Sequence, residues 1–114
     1  MIKQSAIGNE AERILAYQCR ADGISIVQNY RFHEHRRFEI DIAQLDTHCG
    51  IEINGGVFTG QAHGSVRGIL RDMEKRNLLI QSGWRVLVYT PAQVKNGEAI
   101  EGLKQLIWRS HERR

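Results

Sequence analysis

Long apolar runs are missing from this 114-residue chain. None approaches the roughly 20 residues needed to cross a bilayer, so a helical membrane span is excluded. The first residues, Met1-Ile2-Lys3-Gln4-Ser5, have none of the apolar core of a secretory leader, and a cytoplasmic location is expected. Cysteine is scarce. Cys19 and Cys49 are the only two; they lack metal-ligand spacing and read as buried or half-buried thiols in a reducing compartment. No repeat, low-complexity tract or linker interrupts residues 1–114, which read as a single domain with a modest core. Two catalytic patterns are also missing. Serine and threonine have no nucleophile-elbow context, and Gly55-Gly56 has no GxxxxGK[ST] continuation. His48 and Cys49 are neighbours at a strand start, where successive side chains point to opposite faces, so they do not form a nucleophile pair.

Charge is present with only a small imbalance. Sixteen Lys and Arg against thirteen Asp and Glu leave a net +3, with an isoelectric point near 9.1. That permits a polyanionic partner without demanding one. The distribution is more telling. Arg31, Arg36 and Arg37, with His33 and His35 among them, precede a candidate strand, and Arg67, Arg71, Lys75 and Arg76 mark a candidate helix. Arg109, Arg113 and Arg114 read as solvated surface.

Periodicity supplies an order of elements. Ile7, Ala11, Ile14, Leu15 and Cys19 recur at helical spacing from Ser5 to Asp22, and Gly23 ends the run. Residues 24–29 form a strand candidate. In Phe38 to Leu45, Phe38, Ile40 and Ile42 alternate with Glu39, Asp41 and Ala43. Asp46-Thr47-His48 supplies a turn, and 49–54 is the next strand, so a hairpin is expected. Beyond the loop that opens at Gly55-Gly56, Val66, Ile69, Leu70, Met73, Asn77 and Ile80 make a helical stripe. Trp84 to Tyr89 is an apolar strand of the kind found buried in a sheet centre or in parallel pairing. Pro91 starts a short helical turn, and Glu98 to Arg109 is a last amphipathic helix. Trp84 and Trp108 both lie in apolar runs and read as core. The fold class is α/β: a mixed sheet flanked by helices, ordered helix, three meandering strands, crossover helix, strand.

Two carboxylates stand out, each set in the middle of an apolar strand: Asp41 in "FEIDIA" and Glu52 in "IEIN". A hairpin in register brings them to one small volume, where they repel unless a cation lies between them. Oxygen-only ligation favours magnesium or manganese over zinc. The plainer alternative is that both acids lie on the solvent face of the hairpin.

Taken in order, these residues resemble the PD-(D/E)XK nuclease superfamily. Its signature is an acid on the second strand, followed by acid, any residue and lysine on the third. Asp41 is similar to the first acid, Glu52 to the second, and Ile53 to the variable residue whose carbonyl joins the metal shell. Glu12 resembles the further acid on the first helix. "QNYR" running into "FEIDIA" is similar to small resolvase-like members. "IEINGG", His63, Asp72, Lys75, Leu79 and "GWRVLVY" are similar to the very-short-patch repair endonuclease branch. The likeness covers the chain up to Thr90 and implies an αβββαβ core of the restriction-endonuclease kind. Asn54 departs from it by standing where the lysine belongs. An amide orients water but cannot offset charge.

The resemblance implies a magnesium- or manganese-dependent DNA endonuclease, cutting by DNA structure more than by sequence. Asp41, Glu52 and the Ile53 carbonyl would hold metal, and Glu12 would complete the shell. Asn54 and His63 would position water or protonate the leaving oxygen. Arg31, Arg36, Arg37, Arg67, Arg71 and Lys75 would meet DNA phosphates. A homodimer is expected, because one site per chain cuts one strand. His63 and Lys75 are the candidates for the missing cation. His63 is expected to matter more, since Lys75 lies opposite the 66–80 stripe and reads as solvated. The alternatives are a catalytically inactive nucleic-acid-binding module of the same fold and an RNA-directed nuclease.

Overall fold

The computed structural model describes residues 2–54 and 65–112, with side chains from residue 10 onward. Gly55, Gly56, His63, Arg113 and Arg114 lie outside the described residues. The elements run α1 (Ile2–Ala21), β1 (Val27–Arg31), β2 (Glu39–Gln44), β3 (Cys49–Ile53), α2 (Val66–Gln81), β4 (Arg85–Tyr89), α3 (Pro91–Lys95) and α4 (Glu98–Glu112). The four strands form one mixed sheet in the order β1-β2-β3-β4. β1, β2 and β3 meander antiparallel, and β4 joins β3 in parallel. The expected α/β architecture of a mixed sheet with flanking helices is present. β4 is parallel, as its apolar run suggested, but it is an edge strand and not a central one.

The helical spacing of Ala11, Leu15 and Cys19 becomes the buried face of α1. It packs with Ile42, Cys49 and Ile51 of the sheet and with Val94, Ala99 and Leu103 of α3 and α4. A capping box at Thr90 and Gln93, with Pro91 in the first turn, sets the start of α3. Arg85 of β4 reaches across to α4, where Nη2 donates to the Leu106 carbonyl at 2.8 Å and to Ser110 Oγ at 2.6 Å. Among the described residues the other side of the sheet carries a smaller cluster, Ile40, Ala43, Leu79 and Trp84, with Tyr30, Phe32 and Val86 against it.

Ile40 and Ile42 therefore do not share a face, against simple alternation. The ladder pairs Tyr30 with Ile40 and Gln28 with Ile42. Between them Asn29 adopts φ 53°, a left-handed backbone that interrupts the pleat, so both strands change face at this point. Gly50 lies just beyond it. A Cβ there would come within 2.7 Å of the Ile40 side chain and 2.8 Å of the Ile42 carbonyl, so the crossing of β2 and β3 requires a glycine.

Two further expectations are corrected. The α2 stripe is not core: Val66, Ile69, Leu70, Met73 and Ile80 are all exposed, and Leu79 is the buried residue of that helix. Trp108 is 66% exposed on α4, whereas Trp84 is core as expected.

Candidate functional site

β2 and β3 pair through Ile42–Ile51, Ala43–Gly50 and Gln44–Cys49. One step further along the same ladder come Asp41 and Glu52. Asp41 Oδ2 accepts from the Ile53 backbone N–H at 2.8 Å, which locks the first carboxylate against the strand carrying the second. Both are partly buried. Burial raises the Asp41 carboxyl above the usual aspartate range, and the Ile53 N–H and Lys75 only partly oppose it. Glu52 is pushed up to about 7, by burial first and by the Asp41 charge second, again against Lys75. Two carboxylates that resist ionising together form a site short of positive charge. This answers the expectation of solvent-facing acids: both are partly buried, Glu52 against Lys75 of α2 and Asp41 against the Ile53 backbone.

The cation that reaches them is Lys75. Its Nζ lies 2.6 Å from Glu52 Oε1, with the two side chains 21% and 23% exposed. Lys75 does lie opposite the 66–80 stripe, as the helical wheel requires. The error lay in taking that stripe as the inward face. α2 turns Lys75 and Leu79 to the sheet and its aliphatic stripe outward, so the lysine expected in solvent is part of the site.

Glu12 is buried on α1, 8% exposed, and its Oε2 accepts from Gln28 Nε2 at 3.0 Å and from Asn29 Nδ2 at 2.7 Å. Its charge acts on Asp41. Gln28 and Asn29 open the "QNYR" stretch, which entered the sequence reading as part of the resemblance without a role for either amide. Asn29 combines the left-handed backbone with the bond to Glu12, so the same residue that turns the strand also fixes the acid.

Asn54 is half-buried, and its N–H donates to the Tyr89 carbonyl. It lines a cleft of about 300 Å3 between α2 and β4. Glu52, Lys75 and Arg76 give the cleft a charged end, and Leu79, Trp84 and Val86 give it an apolar wall. Of the expected phosphate contacts, Arg31, Arg37, Arg67 and Arg71 are exposed. Arg71 sits over the Phe38 ring at 5.7 Å. Arg36 covers the same ring at 4.9 Å and pairs with Glu74 at 2.5 Å, so its charge is already met. His63 lies outside the described residues.

Metal fit can be judged from the donors. Among the described residues no three His, Cys, Asp or Glu side chains form a metal-holding group. Asp41 and Glu52 supply two carboxylates of raised pKa, and the Ile53 carbonyl is a third oxygen on the same strand end. That set suits a hard cation that keeps part of its water shell, as magnesium does. Among the described residues no helix is long and apolar enough to cross a membrane. No protein-family profile, curated protein or solved structure matches this chain.

Proposed function

We propose that the chain is a magnesium- or manganese-dependent endonuclease acting on DNA, with a restriction-endonuclease-like core of the PD-(D/E)XK kind. The observation that carries this reading is the Lys75 ammonium at 2.6 Å from Glu52, beside Asp41. Two acids and a lysine are the groups this chemistry needs, and here the lysine arrives from α2 while Asn54 occupies the strand position.

In the proposed reaction a water oxygen bonds to phosphorus, one P–O bond to the leaving oxygen breaks, and that oxygen takes up a proton. Asp41, Glu52 and the Ile53 carbonyl would hold the metal, which when bound lowers the pKa of water and offsets charge on the phosphoryl oxygens. Lys75 has three donors and a positive charge, so it stabilises the extra negative charge of the pentavalent state. Asn54 orients water by its amide. Glu12, held by Gln28 and Asn29, adds negative potential behind Asp41. Arg67 and Arg71 on α2, with Arg31 and Arg37, would bind phosphates without reading bases.

One observation favours the second reading, a binding module without catalysis. Lys75 already neutralises one of the two acids that would hold the metal. Incubation with a panel of linear, nicked, flapped and four-way-junction DNAs, and with RNA, under magnesium, manganese or chelator separates the two. Metal-dependent cleavage that Asp41→Asn abolishes is expected. Salt-sensitive binding with no cleavage of any substrate would leave the binding module.

A further inference from the structure

Nothing in the proposed cleavage uses the apolar wall of the cleft between α2 and β4. Its two ends differ in chemistry. Glu52 and Lys75, both part of the acid site, lie at one end together with Arg76. Arg76 is exposed and has no ion pair among the described residues. Leu79 and Ile80 of α2 and Val86 and Val88 of β4 line the rest. Val88 is 40% exposed and Ile80 75%, so apolar surface stands open in the same cleft as two cations. Trp84 backs this wall. Its ring stacks with His48 at 4.8 Å and meets Tyr30 at 5.5 Å, and it is 6% exposed, so the wall is set before a ligand arrives.

We propose that the cleft binds one unpaired nucleobase of the DNA, next to the phosphate cut at the Asp41–Glu52 site. The inference rests on the DNA reading of that site and names what the site selects. A nucleotide has the same two ends as the cleft. Its phosphate is an anion for Lys75 and Arg76, and its ring has apolar faces for the wall. A free anion would use only the first end, and an aliphatic chain only the second. The volume of about 300 Å3 lies at the small end of ligand pockets, which run from about 300 to about 1,000 Å3. That is room for one ring system and not for a base pair. A base of intact duplex reaches such a cleft only by leaving the stack, and the cost is least where it is already unpaired. Bulges, flaps and single strands are therefore favoured over intact duplex. Aliphatic walls grip any ring alike, so the preference is for an unpaired position and not for a sequence.

Fluorescence anisotropy with chelator present tests this on three DNAs of one sequence: a paired duplex, the duplex with one bulged thymidine, and the duplex with an abasic bulge. The abasic bulge keeps the phosphates and so isolates the base. The bulged thymidine should bind about tenfold tighter than either of the others. Val88→Asn and Ile80→Asn, both neutral and at exposed positions, should each remove most of that advantage with the far-UV circular dichroism unchanged. Leu70→Asn, exposed on α2 but outside the cleft, should keep it. Arg76→Ala should weaken all three DNAs alike. With magnesium, the cut should fall beside the bulge and slow when the bulge is abasic.

Equal affinity for the thymidine and abasic bulges would overturn the proposal, as would an advantage untouched by both asparagine variants. Metal-dependent cleavage in that case leaves the endonuclease reading standing without the cleft. Base-dependent binding with no cleavage under either metal does the reverse: the cleft stands and the endonuclease reading falls. Failure to bind any of the three overturns both.

Discussion

On the side of the sheet covered by α1, α3 and α4, the buried cluster includes Leu15, Ile42, Ile51, Val94 and Leu103, each with no exposed surface. On the side covered by α2, the buried cluster is smaller, Ile40, Ala43, Leu79 and Trp84, and two of those are still 6% exposed. The difference separates two jobs. The first side holds the fold together by apolar burial. The second carries the strand ends with Asp41 and Glu52, the lysine above them and a half-open cleft. Charges are tolerated there because water and ions still reach them, whereas Glu12 on α1 is buried only with two amide donors on its carboxylate.

If that division holds, the largest effects on activity and on stability should come from different sides. Lys75→Met should lower cleavage by about a hundred- to ten-thousand-fold while the melting temperature changes little, read by single-turnover cleavage beside thermal unfolding. His63→Ala measured beside it decides between the two candidate cations, since His63 lies outside the described residues. A Lys75→Met variant that cuts at the wild-type rate would return the role to another cation.

Core truncations should invert the pattern. Leu15→Ala and Leu103→Ala should each cost about 3–5 kcal/mol in urea unfolding, and Leu79→Ala nearer 2 kcal/mol, with cleavage per folded molecule preserved in the first two. Equal costs on both sides would break the comparison. Gly102→Ala on α4 should cost about 1–3 kcal/mol, since its new methyl would collide with the Tyr89 hydroxyl.

The last effect is a pH dependence. Glu52 sits near 7 in the fold against an ordinary value of 4.5. Below about pH 4.5 both states hold the proton and nothing is lost. Between 4.5 and 7 the unfolded chain releases it first, so stability falls as pH rises and stays lower above that range. Glu52→Gln should flatten this slope in thermal scans. Magnesium should raise the melting temperature of wild type more at pH 8 than at pH 5, and should do neither in Asp41→Asn.

Much of the layout was legible in the sequence because period-two and helical patterns report burial directly. The α1 stripe, the β2–β3 hairpin and the Asp41–Glu52 meeting all follow from spacing. Three things did not. The face change at Ile40 depends on the left-handed backbone of Asn29, which leaves no periodic trace. Lys75 was misplaced because an apolar stripe is evidence of burial only if the parent domain does the burying. The exposed Trp108 fails for a similar reason: an apolar run at the end of α4 does not by itself supply a surface to pack against, and the ring stays 66% exposed.

The bond from Arg85 to the last turns of α4 has a consequence for motion. Helix ends ordinarily fray, and their amides exchange with solvent almost at once. Here the carbonyl of Leu106 and the hydroxyl of Ser110 are held by a guanidinium anchored in the sheet. Slow deuterium uptake should therefore persist through Ser110 and give way within a residue or two after it. In Arg85→Lys, which keeps the charge but loses the fork, that boundary should retreat by about a turn toward Leu103.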